Sequence, residues 1–279
     1  MGYLNGLVLA VLLAITPASA GEHILPVVAL NIVASDGAVW NSEAYVTNPG
    51  DTTITVYVGS LIEGGRSATP LCLPIVQPFL QVPPFSTRLW SSAELAFGVG
   101  CPEWAWGALT LWSDDPAVIS SRMVNTGVRE VPSNTLLEGF GQEIDAIPTE
   151  QIPRAGERLI LPAVAWHPNA CGAKAFDTNV FFVNPGDDTI DVEISPEPDS
   201  PHDIVIDGIL VPAPHHFPVP ARSLRVLRVA GADPQITVCL EPTVGAFSVV
   251  ATGPMVVIGS AVDRSTQDAR TIVPIRRTP

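Results

Sequence analysis

The residues best suited to catalysis are spread along this chain without the spacing that catalysis requires. A serine hydrolase with a nucleophile elbow needs Gly-x-Ser-x-Gly, and this pentapeptide does not occur in the sequence. The five histidines form no HExxH motif and no pair four residues apart, which is the ligand pattern of many zinc hydrolases. The sequence therefore predicts that the protein is not an enzyme, with an unrecognised hydrolase as the least favoured alternative.

Two further groups of residues suggest metal chemistry. His215-His216 is an adjacent imidazole pair, which can bind a metal or titrate near neutrality, but neighbouring residues of a strand face opposite sides. Asp199, Asp203 and Asp207 lie in an acidic stretch that lacks the alternating spacing of a dedicated calcium loop. We therefore expect a solvated loop at the histidines, no metal site and no cofactor, with weak Ca2+ binding at the aspartates as the alternative.

Carboxylates and indoles next to a recurring cysteine form the candidate binding surface. Glu103 and Glu241 each follow a cysteine by two residues, where a carboxylate can contact a cation or a sugar hydroxyl, or instead bond turn amides. Trp104 and Trp106 share one face if that segment is extended, and with Trp90 and Trp112 they could form a platform for sugar rings or a partner protein. The competing interpretation of these indoles is core or inter-domain packing.

The chain also contains the same short sequences twice. The first occurrences are Leu25-Pro26-Val27-Val28-Ala29 and Asn48-Pro49-Gly50-Asp51, and the second are Leu161-Pro162-Ala163-Val164-Ala165 and Asn184-Pro185-Gly186-Asp187. The separation between the two occurrences is the same for both motifs, and a second set around Cys101 and Cys239 has nearly the same separation. Two copies of one domain explain this pattern best.

Each copy has the pattern of a β protein. Alternation places Ile54, Val56 and Val58 on one inward face, and Ile190, Val192 and Ile194 do the same in the second copy. Asn-Pro-Gly-Asp before each of these strands predicts a hairpin turn, with glycine at positive φ. The Asp114-Asp115-Pro116 and Thr252-Gly253-Pro254 turns predict a second hairpin, and helix is expected only as a turn near 92–97.

These patterns, with 28 prolines and 22 glycines, predict an all-β fold of two tandem β-sandwich domains. We expect the copies at residues 21–147 and 159–279, joined by a short linker at residues 148–158. Residues 1–20, with an apolar run at 7–15 and Ala18-Ser19-Ala20, are predicted to be a secretory signal peptide cleaved after Ala20. The mature protein is then secreted, extracellular or periplasmic, and no later stretch is long and apolar enough for a transmembrane segment.

The charge of the chain limits its partners, and its cysteine content indicates disulfide bonds. The formal net charge is −14 and Lys174 is the only lysine, so nucleic acid and anionic membranes are disfavoured. Four cysteines in an exported chain can pair in three ways. One bridge per copy, Cys72 with Cys101 and Cys171 with Cys239, is the economical arrangement.

Four short motifs of the first copy form a characteristic combination: Asn48-Pro49-Gly50, Gly107-Ala108-Leu109, Ser121-Arg122-Met123-Val124-Asn125-Thr126 and Phe140-Gly141-Gln142. With these motifs the sequence resembles an uncharacterised repeat domain of secreted bacterial proteins. The resemblance covers most of both copies, although copy two lacks the Arg, the Asn-Thr and the final Phe-Gly-Gln. The resemblance implies an immunoglobulin-like β-sandwich with an extracellular accessory role and no established catalytic residues.

The function expected from the sequence is a non-catalytic binding or structural module. It would act in adhesion or envelope assembly through loops and exposed strands, with a protein or a glycan at the cell surface as its partner. A carbohydrate-binding accessory domain that uses the same indoles is the alternative.

Overall fold

The computed structural model describes residues 19–33, 39–63, 79–98, 105–125, 141–166, 176–198, 204–206, 209–211, 213–229, 243–263 and 269–277. Strands dominate these ranges, and the pairings between them are antiparallel. The predicted all-β fold class is therefore confirmed. No helix in the described ranges is long and apolar enough to cross a membrane.

The first half of the chain forms two groups of paired strands. Its elements are β1 (Ser19–Leu30), β2 (Ile32–Val33), β3 (Val39–Asn48), β4 (Ile54–Glu63), β5 (Phe79–Val82), β6 (Ser86–Trp90), α1 (Ser92–Gly98), β7 (Ala105–Asn125), β8 (Gly141–Asp145) and β9 (Ile147–Pro148). One group has the order β5-β4-β7-β1-β9, and the other has the order β6-β3-β7-β8, with β2 on the end of β3. The long strand β7 belongs to both groups.

The second half forms two separate sheets. A 3-10 turn at Thr149–Gln151 leads into β10 (Leu159–Trp166), β11 (Phe176–Asn184), β12 (Ile190–Pro196), β13 (Ile204–Ile206), β14 (Ile209–Val211), β15 (His215–Val219), β16 (Ser223–Val229), β17 (Thr243–Ala251), β18 (Val256–Asp263), β19 (Ala269–Ile272) and β20 (Ile275–Arg276). The sheets have the orders β15-β12-β17-β10-β20 and β14-β13-β16-β11-β18-β19. The order β5-β4-β7-β1-β9 therefore matches β15-β12-β17-β10-β20, and β6-β3-β7-β8 matches β16-β11-β18-β19, to which the second half adds β13 and β14 beside β16.

The Asn-Pro-Gly-Asp turns do not close hairpins, so that prediction was wrong. β3 and β4 pair with other strands and lie in different groups, as do β11 and β12. The buried side chain of Asn48 explains the turn, since its Oδ1 accepts the Gly50 amide at 2.8 Å. Neither Gly50 nor Gly186 has the positive φ that the predicted turn needed. Each turn therefore carries the chain from one sheet to the other.

The second predicted hairpin was also wrong. Residues 105–125 form the single 21-residue strand β7, whose first part pairs with β1 and β4 and whose last part pairs with β3 and β8. In the second half, a turn before Met255 separates β17 from β18, and these strands also belong to different sheets. Pro116 and Pro254 lack the backbone N–H that a sheet hydrogen bond needs. They stand where the chain passes from one group of strands to the other, and the chain does not reverse there as it would in a hairpin.

Each half has a core built from both of its strand groups. The alternating residues of β4 and β12 that were predicted to point inward are all buried. The first-half core contains Leu25, Val46, Val56, Trp90 and Leu111, among others, and the second-half core contains Leu161, Phe182, Val192, Phe217 and Phe247. In the second half, Phe182 and Phe217 meet edge to face at 5.0 Å between ring centroids. The alternation that defined the strands thus also defines the two cores.

A third apolar cluster joins the two halves; we call it the shared cluster. The first half supplies residues from the outer faces of β1, β4 and β7 and from β8, and the second half supplies residues from β11, β16 and β18. Its buried members are Ile24, Val27, Ile62, Ala108, Ile144, Ile152, Phe181, Val183, Leu224, Val256 and Ile258. Both faces of β11 are therefore buried, one in its own core and one against the first half.

Polar bonds accompany this contact. The side-chain amide of Gln142, which is buried, donates to the Thr271 hydroxyl at 2.8 Å. Its Oε1 accepts the Ser260 hydroxyl at 2.7 Å, and the Thr271 hydroxyl donates to the carbonyl of Glu143. Gln142 ends the Phe-Gly-Gln motif of the first copy, so the structure gives this motif residue a role in holding the halves together.

The predicted turn of helix near residues 92–97 is confirmed as α1. Ser91 and Glu94 form a capping box, in which the carboxylate of Glu94 accepts both the amide and the hydroxyl of Ser91 at 2.9 and 2.6 Å. These two hydrogen bonds hold the pKa of Glu94 below its ordinary value. Leu95 is buried in the first-half core, so the cap fixes a residue that the core needs.

Replacing Ser91 with alanine is expected to lower the free energy of unfolding by about 1 kcal/mol at neutral pH. Because the folded pKa of Glu94 is lowered, this contribution is present above the unfolded pKa and is lost as the pH falls through the folded pKa. Urea unfolding of both proteins from neutral to acidic pH measures the difference. A gap between wild type and Ser91→Ala that stayed constant down to acidic pH would show that the carboxylate takes no part in the cap.

Candidate binding surface

Most of the residues predicted as site residues lie outside the described ranges. These are Glu103, Trp104, Glu241 and the four cysteines Cys72, Cys101, Cys171 and Cys239, so the predicted disulfides stay predictions. Trp106 is described and packs, partly buried, against the shared cluster. Trp90 is buried in the first-half core, which agrees with the core interpretation of the indoles and not with the platform.

The structure instead places three aromatic side chains side by side on the outer face of the first half. Tyr57 in β4 lies between Phe79 in β5 and Trp112 in β7, and its backbone pairs with both residues. The ring centroids of Tyr57 and Phe79 are 6.2 Å apart, and those of Tyr57 and Trp112 are 5.5 Å apart. We call these three residues the aromatic row.

The aromatic row is open to solvent. Phe79 is 59% exposed and Trp112 is 45% exposed. Large aromatic side chains are usually more buried than this in folded proteins. Neighbouring rings are inclined to each other by 50° and 41°, so the three rings do not form one plane. It presents successive ring surfaces along a direction that crosses three strands.

Polar groups border the row on the same face. Gln81 and Thr55 pair with each other across β5 and β4, two residues along from Phe79 and Tyr57 and therefore on the same face, and Gln81 is exposed. The carboxylate of Asp114 accepts the backbone amide of Thr55 at 2.8 Å. Glu22 in β1 pairs with Trp112 and is exposed. The rings therefore have amide and carboxylate groups at their edges, all of which can accept hydrogen bonds from a ligand.

The second half approaches the row at one end. Arg222 lies in the turn before β16 and forms an ion pair with Asp187, with Nε and Oδ1 2.6 Å apart. This hydrogen-bonded pair raises the pKa of Arg222, and the charge of Glu22 adds to the effect. Glu22 pairs with Trp112, so a carboxylate next to the row also contributes to the electrostatic environment of Arg222 in the second half.

The corresponding face of the second half lacks the row. There Glu193 occupies the middle strand, paired with His216 on β15 and Val250 on β17. His216 and Glu193 are 3.8 Å apart, with 60% and 43% of their side chains exposed. The same strand arrangement therefore forms without any aromatic residue at these three positions, and folding alone does not account for the row.

The two adjacent histidines lie on strand β15 rather than on the expected loop. His215 packs against the ring of Phe217 at 5.7 Å between centroids, whereas His216 faces Glu193. Burial, followed by the charges of Arg225 and His216, lowers the pKa of His215. The two imidazoles have different neighbours, so they do not share a ligand.

One serine and one histidine come close in space without forming a nucleophile and its base. The Ser113 Oγ lies 3.5 Å from Nε2 of His23, and both residues are buried. The Ser113 hydroxyl donates to the carbonyl of Asp115 at 2.9 Å, so its proton points away from the imidazole. A nucleophilic serine must donate to its base and must reach a substrate. This pair does neither and contributes to the packing of β1 against β7.

The described part of the chain also offers little support for a metal site or for a ligand-binding cavity. There, no three His, Cys, Asp or Glu side chains come together in a way that could hold a metal ion. A depression beside Pro153, Glu157 and Met255 has no room for a water molecule. The aromatic row is consequently the surface feature that most resembles a recognition site.

Sequence reasoning found one member of the row and missed two. Trp112 was considered as part of an indole platform, but Tyr57 and Phe79 were not singled out. Tyr57 carries a usable signal, because it stands on the outward face of a strand whose inward residues are Ile54, Val56 and Val58. Phe79 becomes its neighbour only through the register between β4 and β5, which sequence periodicity does not provide.

Comparison with protein-family models finds no match to this chain, and neither the curated proteins nor the solved structures that were compared include a match.

Proposed function

We propose that this protein is a secreted, non-catalytic binding module of two tandem immunoglobulin-like β-sandwich domains, acting in adhesion or envelope assembly. The observation that supports this most is the exposed aromatic row, which the corresponding face of the second half lacks. Exposed aromatic side chains that folding does not require are the type of residue that dominates binding interfaces. The matching pairing orders of the two halves support the tandem arrangement, and the apolar run and Ala18-Ser19-Ala20 support export.

The rest of the molecule supports binding rather than catalysis. The aromatic row lies on a sheet face that is open to solvent, while catalysis usually requires a concave site that excludes water. The carboxylates at its border, Glu22 and Asp114, are exposed, and the amide of Thr55 already bonds Asp114. A surface of this kind holds a partner through ring contacts and does not activate one.

Loss of the row is expected to release the protein from the surface of the cells that produce it. The double variant Phe79→Ser/Trp112→Ser removes both exposed ring surfaces, and its melting temperature should change little because each side chain is about half exposed. Fractionation of intact cells followed by quantitative immunodetection measures retained against released protein.

The matched control is Phe85→Ser, which removes another phenylalanine of the first half that is 75% exposed and lies outside the row. We expect this variant to be retained as well as the wild type. Equal retention of all three proteins, with all three folded, would contradict the proposal. Equal release of all three would mean that the protein has no surface partner, which also contradicts it.

A further inference from the structure

We propose that the aromatic row binds a neutral polysaccharide chain, with successive sugar rings lying across β5, β4 and β7. This inference rests on the proposed function and names the class of ligand for the same surface. It also makes Trp112, Tyr57 and Phe79 the binding residues, in place of the indole pair expected at Trp104 and Trp106.

The spacing of the row suits a polymer of rings. Its three ring centroids are separated by 6.2 and 5.5 Å, which follows from the distance between adjacent strands. The apolar C–H face of a pyranose packs against an aromatic ring, and a linear polysaccharide presents such faces at regular intervals. A single sugar would use one ring, whereas a chain uses all three, so affinity should increase with chain length.

The tilt between the rings indicates the kind of chain. Neighbouring rings are inclined by 50° and 41°, so they do not form one flat platform. A flat crystalline surface could contact only part of the row, whereas a single twisted chain in solution can follow it. We therefore expect soluble chains to bind better than a crystalline polymer of the same sugar.

The polar border supplies the partners that sugar hydroxyls need. Gln81, Glu22 and Asp114 are exposed beside the rings. Carboxylates accept hydrogen bonds from hydroxyls, and the amide of Gln81 can both donate and accept. Hydroxyl groups stand around the edge of a pyranose, while its faces are apolar, which matches rings with polar groups at their edges.

Charge decides between neutral and anionic chains. The protein carries a formal net charge of −14, and Glu22 and Asp114 place two carboxylates at the row itself. An anionic polysaccharide would be repelled both by these groups and by the whole molecule. The same repulsion opposes a second copy of this chain, since a symmetric contact through the row would bring four carboxylates together.

The experiment is affinity electrophoresis of the full-length mature protein in gels that contain hydroxyethylcellulose, laminarin, mannan, soluble starch or, as the anionic probe, alginate. We expect at least one neutral polymer to slow migration and alginate to have no effect. Trp112→Ala should weaken that binding about tenfold or more, because it removes the largest stacking surface. Phe85→Ser is the control and should migrate like the wild type, and Trp112→Phe should bind with intermediate strength.

Salt and chain length give two further readouts on the same proteins. Binding to a neutral chain should change little between low and high NaCl, because no ionic contact is screened. Oligosaccharides of increasing length, followed by the fluorescence of the protein's tryptophans, should bind more tightly up to the length that covers the row. Binding that falls steeply with salt would contradict a neutral ligand.

The outcomes separate this inference from the proposed function. If no neutral polymer slows the protein but Phe79→Ser/Trp112→Ser is still released from cells, the row binds a protein, and the glycan inference is wrong while the proposed function stands. If a neutral polymer binds equally well to wild type and Trp112→Ala, the row is not the glycan site. If neither retention nor glycan binding depends on the row, both proposals are wrong.

Discussion

Asn48→Asp is expected to lower the free energy of unfolding by about 3 kcal/mol or more at neutral pH. Asn48 is fully buried, and its Nδ2 shares its two hydrogens among the carbonyls of Thr52, Val82 and Pro83, which lie at 2.7, 2.9 and 3.0 Å. A carboxylate at this position would place a second acceptor against three carbonyl oxygens, with no donor between them. Urea unfolding at neutral pH measures the loss.

The second half contains the same arrangement and offers an independent replicate. Nδ2 of Asn184 donates to the carbonyls of Asp188, Val219 and Pro220, and its Oδ1 accepts the amide of Gly186. Asn184→Asp should therefore destabilise the protein by a similar amount.

The pH dependence of Asn48→Asp distinguishes lost hydrogen bonding from a general effect of charge. Burial and the three carbonyls raise the pKa of the introduced carboxyl, so the penalty is largest at neutral pH and decreases as the pH falls and the group gains a proton. The control is Asn31→Asp, which makes the same change in charge at an exposed residue and should alter stability by about 0.5 kcal/mol or less. Equal losses in the two variants would contradict the role assigned to the buried amide.

Val183→Asp is expected to separate the two halves of the molecule. Val183 is fully buried in the shared cluster, where its strand neighbours are Leu224 and Val256. An unpaired carboxylate there should cost about 3 kcal/mol or more. Each half keeps its own core, so we expect differential scanning calorimetry to record one thermal transition for the wild type and two for the variant.

The first half supplies the matched control for this prediction. Thr47 precedes Asn48 as Val183 precedes Asn184, and it occupies the same place between a strand on each side. Its hydroxyl lies 2.8 Å from that of Thr87 in an exposed setting. Thr47→Asp should change stability by about 1 kcal/mol or less and leave one transition. If Val183→Asp also unfolded in a single transition, the shared cluster would not be what couples the halves.

Periodicity was sufficient to predict the strands and their inward faces. Ile54, Val56 and Val58 are buried because a strand with one face in a core must alternate, and this requirement is local. The capped turn of helix near Ser91 is local as well, since both partners lie within four residues of each other. Features decided by neighbouring residues can therefore be inferred from the chain alone.

The connections between strands could not be inferred in the same way. Asn-Pro-Gly-Asp has the composition of a hairpin turn, but the carbonyls that Asn48 bonds include those of Val82 and Pro83, which are distant in the sequence. Those contacts hold the turn as a crossing between sheets. A turn motif specifies local backbone geometry, whereas the partner of the following strand depends on contacts that sequence spacing does not contain.

The candidate site also combines features that local sequence predicts with features that depend on long-range packing. An outward-facing aromatic at Tyr57 could be predicted from alternation, but its neighbours Phe79 and Trp112 come from two other strands and depend on register. Trp106, which the sequence presents beside Trp104, faces the shared cluster because the second half packs over that part of β7. Knowledge of that packing is needed to tell an exposed indole from a covered one.

The shared cluster makes the contact between the two halves asymmetric, because each half contributes a different face. The first half contributes the outer faces of β1, β4 and β7, while the second half contributes the face of β11, β16 and β18. At three of the five corresponding positions, the first half carries Thr47, Thr87 and Ser120 where the second half has Val183, Leu224 and Ile258. The two halves therefore contribute different faces, so a chain built from two copies of the first half would contain two cores and lack the apolar face that the second half presents to the first.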